Sequence, residues 1–249
     1  MCGIGAIVSL KPFYLKTLIS IPLAQLHRGT RGTGIAWSDG SMIYLLKSPI
    51  HPSLFAKKYD GFLTHIKTRI AIIHHRLPSR GSVCYNNTHP FMSCPKSPVR
   101  FAFCHNGTWV EADMFRDELI SLGHDIQGTT DSEVIMHLIE EKIRDNLLLE
   151  EVMEMLNEEE LGVLVIITRD SVYACGGGHR SLYMGRTKDA IILASTTDAI
   201  KSCAKNMKRN INKFYEVKFC KITLEDNRIL IKGRFTPVRI KKYVYRWWS

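Results

Sequence analysis

The sequence has no CxxC pair, no HExxH spacing, no internal repeat and no low-complexity linker. It has no apolar run near the roughly 20 residues that cross a bilayer; the longest clear one is Leu161 to Ile167. Its start has neither the basic n-region nor the long apolar core of a secretory signal. These absences argue against a zinc knuckle, a zincin-type metal site and a membrane span. The expectation is a soluble cytoplasmic protein with no metal and no cofactor. The glycine-dense run Gly29-Thr30-Arg31-Gly32-Thr33-Gly34 lacks the GxGxxG pattern and a following Lys-Ser/Thr, so it does not read as a phosphate loop. Gly176-Gly177-Gly178-His179 reads as a flexible turn.

Seven cysteines are present, an odd number, which speaks against a full disulfide framework. Cys84 and Cys94 close a short loop and are spaced to bridge, although a reducing cytosol favours free thiols. With 249 residues the chain suits one large domain, 1–249. Its charge is lopsided. Residues 201–249 hold 14 Lys and Arg against 3 Asp and Glu, a net of +11, out of +10 for the whole chain. A solvated basic face and a docking surface for an anionic partner are about equally good readings of that segment. Phe214, Tyr215, Phe219, Phe235, Tyr243, Tyr245, Trp247 and Trp248 are interleaved with the basic residues, which suits strand packing as well as binding.

Apolar spacing predicts a strand over residues 2–10, a helix over 13–26 and a hairpin of 34–37 with 41–47 turning at Asp39-Gly40. A strand over 69–75 and a proline-rich loop over 77–98 follow. The next strand, 100–104, ends in His105-Asn106-Gly107. Helices are expected at 114–122, after a cap at 130–133, at 147–156 and at 197–205. Short strands are expected at 163–168, 171–175, 182–185 and 191–195, then a closing hairpin of 214–224 with 228–232. Strand runs with intervening helix pairs indicate layered α/β architecture with mostly antiparallel sheets.

Met-Cys-Gly-Ile opens the chain. Methionine before a small residue is normally trimmed, which would leave Cys2 with a free α-amine of pKa near 8 beside its thiol, a nucleophile and base in one residue. On position alone, a buried cysteine at a strand start is the commoner explanation. The rest of the chain reverses that balance. Met-Cys-Gly-Ile, Arg28-Gly29 with Gly34-Ile35-Ala36, His74-His75-Arg76, His89-Pro90-Phe91, His105-Asn106-Gly107 and Thr130-Asp131-Ser132-Glu133 occur in an order and at intervals that resemble the class II glutamine amidotransferases. Weaker echoes continue at 181–185 and 194–195. The resemblance covers residues 2–200, with the basic 201–249 segment completing the sheets or docking a partner.

The resemblance implies a four-layer αββα Ntn-hydrolase sandwich with two mostly antiparallel sheets. It implies Cys2 as nucleophile, and Asn106 with the Gly107 N–H as oxyanion donors, the arrangement in which one donor is worth about 10²–10³ in rate. Arg28 and Gly29 would order the site. Arg76, with Ser79, would hold the glutamine α-carboxylate, which a guanidinium fork suits, and Asp131 the α-ammonium. Plainer explanations stand beside several of these: a hairpin turn for Asn106-Gly107, a helix N-cap for Asp131, a helix C-terminus for Arg28-Gly29. Three positions depart from the family pattern. Arg31 stands where an acid is usual, Leu77 where an aromatic is, and Arg80 where a histidine is. The implied activity is glutamine hydrolysis to glutamate and ammonia, with ammonia passed to a separate synthase subunit. The alternatives are a γ-glutamyl amide hydrolase of the same fold, and a non-catalytic interaction module binding an anionic partner through the basic segment.

Overall fold

The computed structural model describes residues 1–177 and 179–238. The aromatics Tyr243, Tyr245, Trp247 and Trp248, the last basic residues and Gly178 lie outside the described residues. Twelve strands and seven α-helices are present among those described. The strands are β1 (Gly3–Tyr14), β2 (Thr33–Ser38), β3 (Ile43–Ser48), β4 (Lys67–His75), β5 (Phe91–Met92), β6 (Ala102–Gly107), β7 (Gly162–Ile167), β8 (Ser171–Cys175), β9 (Tyr183–Arg186), β10 (Ala190–Ala194), β11 (Lys213–Glu225) and β12 (Arg228–Pro237). The helices are α1 (Ser20–Ala24), α2 (Pro52–Lys58), α3 (Asp60–Leu63), α4 (Ala112–Ser121), α5 (Asp131–Arg144), α6 (Leu149–Glu158) and α7 (Thr197–Asn206).

Strand order is β3-β2-β4-β1-β10-β9-β11-β8-β7-β6-β5, with β12 on β11. Every pairing is antiparallel. The period-two alternation of strand side chains makes two faces, and both are apolar here. In β1, Ile4, Ala6 and Val8 face inward; in β7, Val163, Val165 and Ile167 meet them in one shared core. The opposite faces are covered by helices. Ile7, Ala71, Ile73 and Ile192 pack under the 3-10 turn Leu15–Ile19, α1, α2 and α7. Leu164, Ile166, Tyr173 and Cys175 pack under α5 and α6. The layers are helix, sheet, sheet, helix, as expected.

The two sheets are joined by one long strand. β11 pairs β9 through residues 213–216 and β8 through 219–223, with a bulge between Val217 and Phe219. A bulge bends a strand and raises its twist, which lets one strand leave one sheet and enter the other. Residues 213–237 therefore add a hairpin to the sandwich, turning at Asp226 and Asn227, both at positive φ as a tight hairpin requires. Several basic residues from 201 onward are spent internally: Lys201 on Asp198, Arg209 on Asp189, Lys221 and Lys232 on Glu150.

Three local expectations change. The segment 13–26 is not one helix. β1 runs to Tyr14, then a 3-10 turn, α1 and a second 3-10 turn (Leu26–Arg28) follow. Pro22 has no N–H to give to Leu18, so a continuous ladder is broken there. The short helices α2 and α3 were not visible in the apolar pattern; Pro52 at the first turn of α2 and a His51 ring nitrogen accepting from the Ser53 N–H start the first of them. His105, Asn106 and Gly107 lie inside β6, opposite Leu164, Val163 and Gly162 of β7. They form no hairpin turn.

Candidate active site

The start of β1, the ends of β4 and β6, and the N-terminus of α5 converge at one edge of the sandwich. Cys2 precedes β1, whose Gly3 is in register with His75 of β4. The Cys2 thiol sits between the backbone groups of Leu77, 3.3 Å from its carbonyl oxygen and 3.3 Å from its N–H. The Cys2 carbonyl accepts from Asn106 Nδ2 at 2.9 Å and from Arg28 Nε at 3.0 Å. Asn106 Oδ1 accepts from Arg180 at 3.3 Å, which fixes the orientation of the amide and turns its nitrogen toward Cys2. Cys2, Arg28 and Asn106, 104 residues apart at the extremes, are thus one hydrogen-bonded group.

Burial raises the Cys2 thiol above its ordinary value; the Leu77 N–H, the N-terminal amine, Arg76 and Arg180 pull it down. Met1 is 60% exposed, so the residue whose removal would free the Cys2 amine is open to an aminopeptidase.

Two glycines are required by close approach. A Cβ on Gly29 would lie 2.6 Å from the Arg76 carbonyl carbon, and one on Gly107 would lie 1.8 Å from the Leu161 oxygen. Gly29 has an extended backbone, φ 174°, so it is no left-handed helix cap. Its lack of a side chain lets the Arg28 turn lie against the end of β4, which brings Arg28 to Cys2. Gly107 lets β6 run flush against the Leu161 carbonyl and the His105 ring.

Asp131 is not the cap of α5. Thr130 is, its hydroxyl accepting from the Glu133 N–H at 3.3 Å. Asp131 is instead a buried carboxylate in the first turn, where the helix dipole favours negative charge. One oxygen accepts from the Trp109 N–H at 2.8 Å, the other from the Ser132 N–H at 2.9 Å. Arg76 is buried, and its guanidinium is largely occupied by the loop that follows it. Nη1 donates to Ser82 O at 2.7 Å, and Nη2 to Gly81 O at 3.2 Å and to Arg80 O. Of its five donors, Nε–H and one Nη1 hydrogen remain. Ser79 is exposed and makes no side-chain hydrogen bond among the described residues. Arg31 is also exposed; only its backbone N–H reaches the site's edge, on the Arg76 carbonyl at 2.9 Å, so its charge does not enter the cluster. Arg80 pairs with Asp113. The seven cysteines are free, Cys84 and Cys94 included.

Sequence reasoning missed Arg180 and the Leu77 backbone. Arg180 follows the glycine run read as a plain turn, and nothing at 180 signals a partner 74 positions away. It also missed Gln25, a buried amide that ties three elements together. Its Nε2 donates to Ile4 O at 3.4 Å, its Oε1 accepts from Thr196 at 3.1 Å, and its backbone oxygen meets His75 Nε2 at 3.2 Å. Ser195 supports the same edge by accepting from the Ile4 N–H at 3.0 Å.

The family model of the class II glutamine amidotransferases matches residues 17–165. The chain belongs to the class II glutamine amidotransferases. Among curated members of related function, the amidophosphoribosyltransferase of Methanocaldococcus jannaschii is 32% identical over 207 residues, 80% of this chain and 43% of that protein. The glutamine–fructose-6-phosphate aminotransferase of Sulfurisphaera tokodaii is 34% identical over 147 residues, 57% of this chain and 23% of that one. Among solved structures, the glutamine phosphoribosylpyrophosphate amidotransferase of B. subtilis, complexed with ADP and GMP, aligns with a TM-score of 0.73 at 23% identity. That alignment covers 93% of this chain and 49% of the B. subtilis chain and speaks for the fold alone. This amidotransferase chain thus spans less than half the length of these relatives. Among its described residues, no helix is long and apolar enough to cross a membrane.

Proposed function

We propose that this amidotransferase chain hydrolyses the side-chain amide of glutamine through Cys2, and that the ammonia serves a synthase on another domain or subunit. One observation carries the reading: the Asn106 amide nitrogen, oriented by Arg180, lies against the backbone of the residue whose thiol is presented at the site. With Met1 removed, the Cys2 α-amine, through a water, takes the thiol proton. The sulfur attacks the amide carbon, and the spare Nδ2 hydrogen of Asn106 with the Gly107 N–H receives the developing negative charge. The amine returns the proton to the leaving ammonia, and a γ-glutamyl thioester remains for water to hydrolyse. The free donors of Arg76 hold the α-carboxylate, and the open lone pairs of Asp131 the α-ammonium. Arg28 and Gly29 keep the Cys2 carbonyl in place. Ser79 joins the carboxylate when the loop over 77–88 closes.

The chain acts as one domain in this reading, since β11 and β12 complete the sandwich. In this reading the basic segment 201–249 is where an anionic partner docks.

Asn106→Ala is expected to lower kcat by about 10²–10³ with KM little changed, because the lost donor serves the transition state more than the bound substrate. Steady-state ammonia release checks this; an equal loss through KM alone would assign Asn106 to binding instead. The reading as a whole is tested by measuring ammonia release from glutamine beside amine release from γ-glutamyl conjugates. Faster turnover of glutamine supports it. Faster turnover of a conjugate makes the protein a γ-glutamyl amide hydrolase, and turnover of neither makes it an interaction module.

A further inference from the structure

His124, at the turn after α4, and His137 and Glu140, one turn apart on α5, form a second polar cluster that the proposed amide chemistry does not use. All three are buried. His124 Nδ1 lies 3.0 Å from His137 Nδ1, His137 Nδ1 lies 2.8 Å from Glu140 Oε2, and Glu140 Oε2 lies 3.5 Å from His124 Nδ1. An ion bound tetrahedrally at 2.0–2.1 Å holds its ligand atoms about 3.3 Å apart. The observed triangle brackets that spacing.

Proton counting favours a cation over hydrogen bonds alone. His124 Nε2 lies 2.7 Å from Glu141 Oε2, and Arg144 donates to the same oxygen at 3.0 Å. Arg144 Nη1 also lies 3.2 Å from His124 Nε2, but the carboxylate contact is the shorter, and with the ring proton on Nε2 the Nδ1 presents a lone pair to the cluster. Glu140 presents a carboxylate oxygen. His137 Nδ1 has one hydrogen at most to share between them. Three atoms that can each donate an electron pair thus converge with one proton among them. The surroundings match those of metal-bound ligands. Glu141 orients His124 as a carboxylate orients a metal-bound imidazole. The Cys94 N–H holds the other oxygen of Glu140, leaving Oε2 free for the ion. His124 and His137 line a cavity of about 450 Å³, together with Cys94, Tyr85 and Met136 among others.

We propose that His124, His137 and Glu140 bind one divalent cation of the zinc class, with a water from the cavity as fourth ligand. The ion clamps the turn after α4 and the 93–94 segment onto α5, the helix whose first residue is Asp131. The sequence expectation of no metal arose because a turn histidine thirteen residues from a helical His-x-x-Glu matches no familiar spacing.

The test strips the full chain with a chelator, reloads it with Zn²⁺ or Co²⁺, desalts it, and measures metal by mass spectrometry and the Co²⁺ visible spectrum. One ion per chain, intense four-coordinate d–d bands and a melting temperature several degrees above the stripped protein are expected. Glu140→Gln, of equal shape, and His137→Gln should each weaken binding by about 100-fold or more while keeping the far-ultraviolet circular dichroism of the stripped wild type. Wild-type protein that retains no metal overturns the proposal. So does a thiolate-to-cobalt band in the near ultraviolet, which would put the ion on cysteine, or unchanged binding by Glu140→Gln. None of these readouts depends on glutamine turnover.

Discussion

Cys2→Ala is expected to lower glutamine turnover by at least about 10⁴-fold while leaving the fold intact. The expectation follows from the division of labour at the site. In the proposed mechanism the Asn106 amide, the Gly107 N–H, Arg76 and Asp131 still bind substrate and polarise its carbonyl without the sulfur, which leaves a small residual rate. They cannot form the thioester. The side chain removed is small and partly exposed, and its two contacts are weak sulfur hydrogen bonds to Leu77, so the stability change should be under about 1 kcal/mol. The backbone carbonyl held by Asn106 and Arg28 is unchanged by the substitution. Turnover in Cys2→Ala comparable to wild type would remove the nucleophile assignment. Full activity in protein shown by mass to retain Met1 would remove the amine as base.

The second large effect is on stability in mild acid. Four histidines around the junction of β4 and β6 are buried in a form that resists protonation. His74 and His89, stacked at 4.1 Å, are held well below the usual imidazole range by burial first; after it His75 and Arg76 lower His74, and His74, His105 and Arg76 lower His89. His75 is lowered to about 4, by burial above all. His105 is lowered by burial, although Asp131 opposes the shift. In the unfolded chain all four take up protons near pH 6.5. Between that pH and 4 the unfolded state therefore binds more protons than the folded one, and stability falls as pH falls. His75 alone contributes about 3 kcal/mol across that window, and His74, His89 and His105 act in the same direction. Against a total of roughly 5–15 kcal/mol, this loss is a large fraction of the stability, so the protein should be markedly less stable at pH 5 than at pH 7. Urea melts at pH 7, 6 and 5 check this. The carboxylates lowered by ion pairs, Asp189, Glu141 and Glu150, act below about pH 4.5 and cannot produce the same window. Stability that stays flat from pH 7 to 4.5 would mean that the buried rings are already paired with acids in the native state.

The strands and most helices were legible because the sandwich buries both faces of its sheets. Val163 to Ile167 and Ile70 to Ile73 are continuous apolar runs, and the cap at Thr130 announces α5. The motif residues Cys2, Arg28, Gly29, Asn106 and Gly107 stood out through resemblance, and the structure joins Cys2, Arg28 and Asn106 in one hydrogen-bonded group. What was hidden depends on partners far apart in the chain. Arg180 is one cation among many until Asn106 is placed beside it. Leu77 looks like a departure from pattern, yet it meets the thiol with its backbone, which any residue supplies. The role of Gly29 could be guessed as a helix cap from its neighbours, whereas its cause is the backbone of β4 passing 2.6 Å from where a Cβ would be. The union of the sheets through β11 turns on one bulge, and apolar periodicity does not mark bulges.

The most direct test is the intact mass of the purified protein after incubation with a glutamine-derived diazoketone, followed by peptide mapping. One adduct per chain, on a Cys2 that has lost Met1 and blocked by excess glutamine, is the expected result. An adduct on Cys84 or Cys94, or an unmodified protein with an intact Met1, would contradict it.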